Sequence, residues 1–112
     1  MKKTDTTPFE IPGGTTGRLY PNHPAGEHTL AVVEMDGIYP LKGSSRNSVC
    51  TETMYVMEGT LNLTVDGEVH VLEEGDCYAI TPGHAYRCEG KVKVLDVITP
   101  AWDKAQNEII EE

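Results

Sequence analysis

Thr60-Leu61-Asn62-Leu63-Thr64-Val65 and Glu68-Val69-His70-Val71-Leu72 are two alternating runs joined by the dipeptide Asp66-Gly67. Alternation with a period of two marks a half-buried strand. Asp-Gly supplies the two positive-φ positions of a type I′ turn, so the stretch reads as a β-hairpin. A two-residue turn sets the register: Val65 opposite Glu68, Leu63 opposite His70, Leu61 opposite Leu72. Those side chains share one face, which is mostly apolar. Asn62, Thr64, Val69 and Val71 share the other. Neither face is purely polar, which suits a sheet covered on both sides or an oligomer.

The same grammar extends in both directions. Upstream, Thr29 to Met35 reads as a strand ended by Asp36-Gly37, and Val49 to Glu58 is a β-prone run closed by Gly59. Downstream, Glu74-Gly75-Asp76 is a turn, Cys77 to Ile80 a short strand, and Thr81-Pro82-Gly83-His84 another turn. Ala85 to Cys88 and Val92 to Ile98 are further strands, separated by Glu89-Gly90. About nine short strands at 8–12-residue spacing, with no βαβ alternation, predict an all-β sandwich or barrel. Residues 29–100 form that barrel. Residues 1–28 are an N-terminal arm and loop, of which the polar, glycine-rich stretch to about Gly17 reads as a flexible arm or an edge strand that orders only against a partner. Residues 101–112 are a tail in which Asp103 is placed to cap a short helix from Lys104 to Glu111.

Composition narrows the function classes. The chain has 112 residues, 38% hydrophobic and 24% charged, with 11 Gly and 7 Pro. That is one small, turn-rich domain. The formal net charge of -9 repels phosphate backbones and anionic lipid, so neither nucleic acid nor a membrane surface is an expected partner. No apolar run approaches the roughly 18 residues of a membrane-spanning helix. Met1-Lys2-Lys3 leads into Thr and Asp rather than an apolar segment, so a cytoplasmic location is expected. The three cysteines, Cys50, Cys77 and Cys88, form no CxxC pair and read as free thiols.

Glu52 and Gly59 are separated by six residues, Val65-Asp66-Gly67-Glu68 and Glu74-Gly75-Asp76 follow, and Ile80-Thr81-Pro82-Gly83 comes next. This series resembles the cupin superfamily. Its first motif is Gly, five residues, His-x-His, three or four residues, Glu, six residues, Gly. Its second is Gly, five residues, Pro-x-Gly, two residues, His. The resemblance covers most of the chain and implies a double-stranded β-helix, a jelly-roll barrel around a central cavity. The second motif is slightly shifted here.

The family's metal ligands are largely missing. Three residues back from Glu52, the paired histidines fall on Arg46 and Ser48. Four residues back, they fall on Ser45 and Asn47. The second motif's histidine falls on Tyr86. Of the four ligand positions only Glu52 keeps its family residue. Transition metals in such sites want imidazole and carboxylate, so no metal and no other cofactor is expected.

The candidate site follows from these positions. Glu52 is a pocket carboxylate suited to proton transfer or to anchoring a ligand, or a relic bonded to Tyr86 or Arg46. Tyr86 is a hydrogen-bond donor to a ligand, or the side chain that plugs the former metal position. Cys50 shares strand parity with Glu52 and is a reactive thiol or plain packing. Arg46 would grip a ligand carboxylate or phosphate, or sit in a surface loop. Asn47 is a polar candidate in the four-residue register. Met54, Val56 and Ile80 should wall the cavity. Among the histidines, His84 is the nearest to a ligand position, His23 and His28 lie in the N-terminal loop, and His70 is structural. The expected function is small-molecule binding in the barrel. The alternative is an enzyme of isomerase, dioxygenase or decarboxylase type, using Glu52 and Tyr86 for acid–base work or an irregular metal site. A symmetric homodimer is expected, because sheet edges need cover.

Overall fold

The computed structural model describes residues 1–22 and 24–111. Among the described residues nine strands follow in order: β1 Thr7–Ile11, β2 Thr15–Leu19, β3 Thr29–Tyr39, β4 Ser44–Asn47, β5 Thr51–Val65, β6 Glu68–Glu73, β7 Cys77–Ile80, β8 Ala85–Thr99 and β9 Asn107–Ile110. All pairings are antiparallel, and the strands form one hydrogen-bonded sheet curled on itself.

The β5–β6 hairpin has Val65 opposite Glu68, Leu63 opposite His70 and Leu61 opposite Leu72. Asp66 and Gly67 both have positive φ, as a type I′ turn requires. Leu61, Leu63 and Val65 are buried, while Val69 and Val71 on the opposite face stay 60% and 58% exposed.

Runs that read as separate strands in the sequence are continuous. β5 carries on through Gly59, and β8 carries on through Gly90. The first part of β5, Thr51 to Val56, pairs with β7 and with Val94 to Thr99. The second part, Thr60 to Val65, pairs with β6 and with the start of β8. A register shift between Val56 and Glu58 marks the corner. Gly59 has φ +83, and a Cβ there would run into the Lys91 carbonyl, so the corner demands glycine.

Two terminal expectations are corrected. The N-terminal segment does not wait for a partner: β1 and β2 form a hairpin whose β2 extends the sheet along β3. The C-terminal helix is absent. Asp103 does accept from Ala105 N at 3.0 Å, but it starts only a single 3₁₀ turn, Lys104–Gln106. The chain then straightens into β9 and adds to the open edge of β4. A helix that short gains little by itself, whereas the β4 edge offers a ready ladder. Among the described residues no helix is long and apolar enough to cross a membrane.

Candidate functional site

Strand alternation aims a defined set of side chains inward. On β5 Glu52, Met54 and Val56 are buried, with Thr53 and Tyr55 between them on the outer face. On β8 the buried series is Tyr86, Cys88, Val92, Val94, Asp96 and Ile98. On β4 it is Ser45 and Asn47, which leaves Arg46 outward. The curl of the sheet brings these three rows together.

Glu52 Oε1 is the hub. Tyr86 Oη donates to it at 3.0 Å, and Asn47 Nδ2 donates to it at 3.1 Å. The tail sets the orientation of Asn47. Gln106 Nε2 and Asn107 Nδ2 both donate to Asn47 Oδ1 at 2.9 Å, so its amide nitrogen must face Glu52. Asn107 Nδ2 also lies 3.0 Å from Ser45 Oγ, to which it donates. Gln106 is fixed in turn, because its Oε1 accepts from Val49 N at 3.2 Å and Cys50 N at 3.1 Å.

Asp96 completes the site. It is 7% exposed and shares a hydrogen bond with Glu52. Burial, then the Glu52 charge, then that hydrogen bond push its carboxyl well above the usual carboxylate range. The Asp96 carboxyl therefore favours its protonated form. Its Oδ1 is buried without a hydrogen-bond partner, as is Thr15 Oγ1. Burial, followed by the Glu52 charge, also holds the Tyr86 phenol well above its ordinary value, so it remains a neutral donor. Tyr39, raised mainly by burial, stands beside it with ring centroids 6.4 Å apart.

Of these groups Glu52, Tyr86, Asp96, Tyr39 and Asn107 line a cavity of about 300 Å³, with Asn47, Ser45 and Gln106 behind them. Its remaining wall is apolar, drawn from β1 to β3, β5 and β8, and includes Phe9, Leu19, Met35, Met54 and Val94. Trp102 lines it from the segment leading into the tail. A mostly apolar cavity with a few convergent polar groups is the usual form of a small-molecule site.

The model of the Cupin domain family matches residues 40–98, more than half of the chain. The chain belongs to the cupin family. No curated protein matches its sequence. Solved structures share the fold at low identity. Pac13 from Streptomyces, described as a nucleoside dehydratase, superposes with a TM-score of 0.88 at 14% identity, covering 98% of this cupin and 88% of Pac13. KdgF from Halomonas gives 0.72 at 15% identity, covering 93% and 94%. An RmlC-like cupin from Shewanella frigidimarina gives 0.72 at 21% identity, covering 94% and 93%.

Within the cupin barrel, Glu52, Tyr86, Asn47 and Met54 come together. Four other candidates lie elsewhere. Arg46 alternates outward from β4 and pairs with Glu108 at 2.7 Å on the surface. Cys50 precedes β5, is turned away from the cavity and donates its thiol to the Pro100 carbonyl at 3.4 Å. Val56 and Ile80, 0% and 2% exposed, are packed core without a face on the cavity. His84 pairs with Asp66 at the hairpin turn, and His70 stacks on Tyr78 at 4.6 Å. His23 lies outside the described residues. Asp96 was missed in the sequence, although an acid in the inward row Val92, Val94, Ile98 was a readable signal. Gln106 and Asn107 were hidden by the helix expected there.

The cupin's metal-ligand positions hold Ser45, Asn47, Glu52 and Tyr86, which is the four-residue register. Hydroxyl, amide, one carboxylate and a phenol held neutral are a poor donor set for a divalent transition metal. Among the described residues no three His, Cys, Asp or Glu side chains are grouped to hold one.

Proposed function

We propose that this cupin is an enzyme that moves protons on a small organic molecule bound in its barrel, without a transition metal. One observation carries the reading: Glu52 and Asp96, hydrogen-bonded to each other, stand beside the Tyr86 hydroxyl in an otherwise apolar cavity. Two carboxyls with divergent environments divide into base and acid. Glu52 accepts a proton from the substrate, Asp96 delivers its own to a leaving hydroxyl or a carbonyl, and transfer across their shared bond resets the pair. Tyr86 and Asn47 spread the negative charge on Glu52. Pac13, whose fold this chain shares, is described as a nucleoside dehydratase, and elimination of water is served by one base and one acid.

Binding without chemistry is the second reading, and the two donors already occupying Glu52 Oε1 favour it. A homodimer in the cytoplasm accords with the exposed Val69 and Val71 on the edge strand β6 and with three free thiols. The test is incubation of chelator-treated protein with a small-molecule cell extract, followed by mass spectrometry. One compound should be converted, with loss of water or with uptake of solvent deuterium, and Glu52→Gln should abolish the conversion. Activity that vanishes on chelation and returns with a divalent metal overturns the proposal. Retention of a compound without conversion supports the binding reading.

A further inference from the structure

The acid pair holds one negative charge, since Asp96 keeps its proton beside the Glu52 carboxylate. The cavity offers that charge no positive partner. Among the described residues that line it there is no Lys, Arg or His. Tyr86, Asn47 and Asp96 bring hydrogen bonds to Glu52 but no positive charge. They also leave room on it. A carboxylate has about four lone-pair sites, two on each oxygen. Tyr86 and Asn47 take both sites on Oε1. Asp96 has a single proton to give, so Oε2 keeps at least one site open. That oxygen is also within reach. The side-chain oxygens sealed without a partner, among the described residues, are Thr15 Oγ1 and Asp96 Oδ1, and Glu52 Oε2 is not one of them. Glu52 is only 5% exposed and lines the cavity, so its open site is offered inward.

A buried charge without a counter-ion is costly, and a ligand of opposite sign offsets that cost. The rest of the cavity suits the same ligand. Met35 and Met54 offer apolar contact, and the chain's single Phe and single Trp, Phe9 and Trp102, line it too. Tyr86 reaches Glu52 through its hydroxyl, and Tyr39 stands 6.4 Å from Tyr86, so two further rings border the charged end. Aromatic faces attract an ammonium group within about 6 Å. We infer that the barrel takes an organic cation, a protonated primary amine on an apolar body, whose ammonium donates to Glu52 Oε2. An anion would meet like charge. An alcohol fills the open site but leaves the charge uncompensated, and a quaternary ammonium compensates the charge but has no N–H to give. This deepens the proposed function and rests on its placement of the ligand in this cavity. It divides Glu52 between two tasks: Oε1 is held by Tyr86 and Asn47, and Oε2 touches the substrate.

Four probes with one skeleton test the inference: cyclohexylmethylamine, its quaternary trimethylammonium analogue, cyclohexylmethanol and cyclohexanecarboxylate. Salt at about 0.15 M screens the chain's net charge of -9, so that the contrast reports the cavity. The methyl resonances of Met35 and Met54 and the fluorescence of Trp102 report occupancy, because all three line the cavity. The primary amine should bind about tenfold more tightly than each of the other three, the scale of one added charge contact at a partly dry carboxylate. Asp96→Asn keeps the Glu52 charge and should keep that preference. Glu52→Gln combined with Asp96→Asn removes the charge from both carboxyls, and amine and alcohol should then bind alike. An alcohol or carboxylate that matches the amine in the wild-type protein, or a tenfold amine preference that survives in the folded double variant, overturns the inference and leaves the barrel as a binding site. A trimethylammonium probe that matches the primary amine overturns the donation to Glu52 Oε2. If none of the four perturbs the cavity reporters, the inference and the barrel-binding reading fall together.

Discussion

Tyr86 Oη donates to Glu52 Oε1 across 3.0 Å, yet in the β5–β8 ladder Tyr86 lies opposite Val65, thirteen residues beyond Glu52. A straight strand would separate Val65 and Glu52 by about 43 Å. That exceeds the longest dimension of the whole molecule, 35 Å. The bond therefore reports the fold-over of the sheet at Gly59. The acid pair lies on one side of that corner, and the residue that steadies it on the other.

Gly59→Ala tests this dependence. The positive φ and the close Lys91 carbonyl leave no room for a Cβ. We expect a loss of about 3 kcal/mol in urea unfolding. Gly67→Ala, at a hairpin tip where a Cβ meets nothing within 4 Å, should cost less. Equal costs would show that the corner is not special.

Asp96 should make stability fall as pH rises. Its folded-state value is raised above the unfolded one, so the native protein binds the extra proton. The protonated carboxyl's contribution is complete below about pH 4, the unfolded value, and is lost as pH climbs toward the raised folded value. Asp96→Asn mimics the protonated acid. It should match wild type near pH 4, exceed it at pH 8, and flatten the slope between. Parallel pH profiles for the two proteins would refute the assignment of the proton to Asp96.

Gln106→Ala should loosen the site from the tail. It removes the acceptor for Val49 N and Cys50 N and one of the two donors that orient Asn47. The expected cost is about 1–3 kcal/mol by thermal or urea unfolding. Conversion of substrate should fall further than global stability accounts for. A variant unchanged in both respects would show that the tail does not hold the site.

Elemental analysis addresses the metal directly. The wild-type protein, purified without a histidine tag, should carry less than about 0.3 equivalents of any transition metal. Installing Ser45→His, Asn47→His and Tyr86→His together would recreate the imidazole-rich donor set beside Glu52 and should raise that content. Near-stoichiometric metal in wild type, lost in Glu52→Ala, would contradict the donor-set argument.

What was legible in the sequence was whatever is encoded over two to eight residues. Asp66-Gly67 specifies its turn through positive φ, and the alternation of Leu61, Leu63 and Val65 specifies which face is buried. The six-residue gap from Glu52 to Gly59 matched the cupin motif, and it was that resemblance that implied an inward Glu52. The choice between Arg46/Ser48 and Ser45/Asn47 was not legible, because the Ser48-Val49-Cys50 turn interrupts the alternation between β4 and β5 and parity cannot be counted across it. Nor was the fate of residues 104–111, whose local preference is weak and is overruled by the free edge of β4. Asp96 looked like an interruption of an apolar row until the curl of the sheet set it against Glu52. Its proton, its unpaired oxygen and the cavity beside it exist only through that approach. Tertiary structure alone decides such properties, because burial and charge act through space, between groups that the sequence holds far apart.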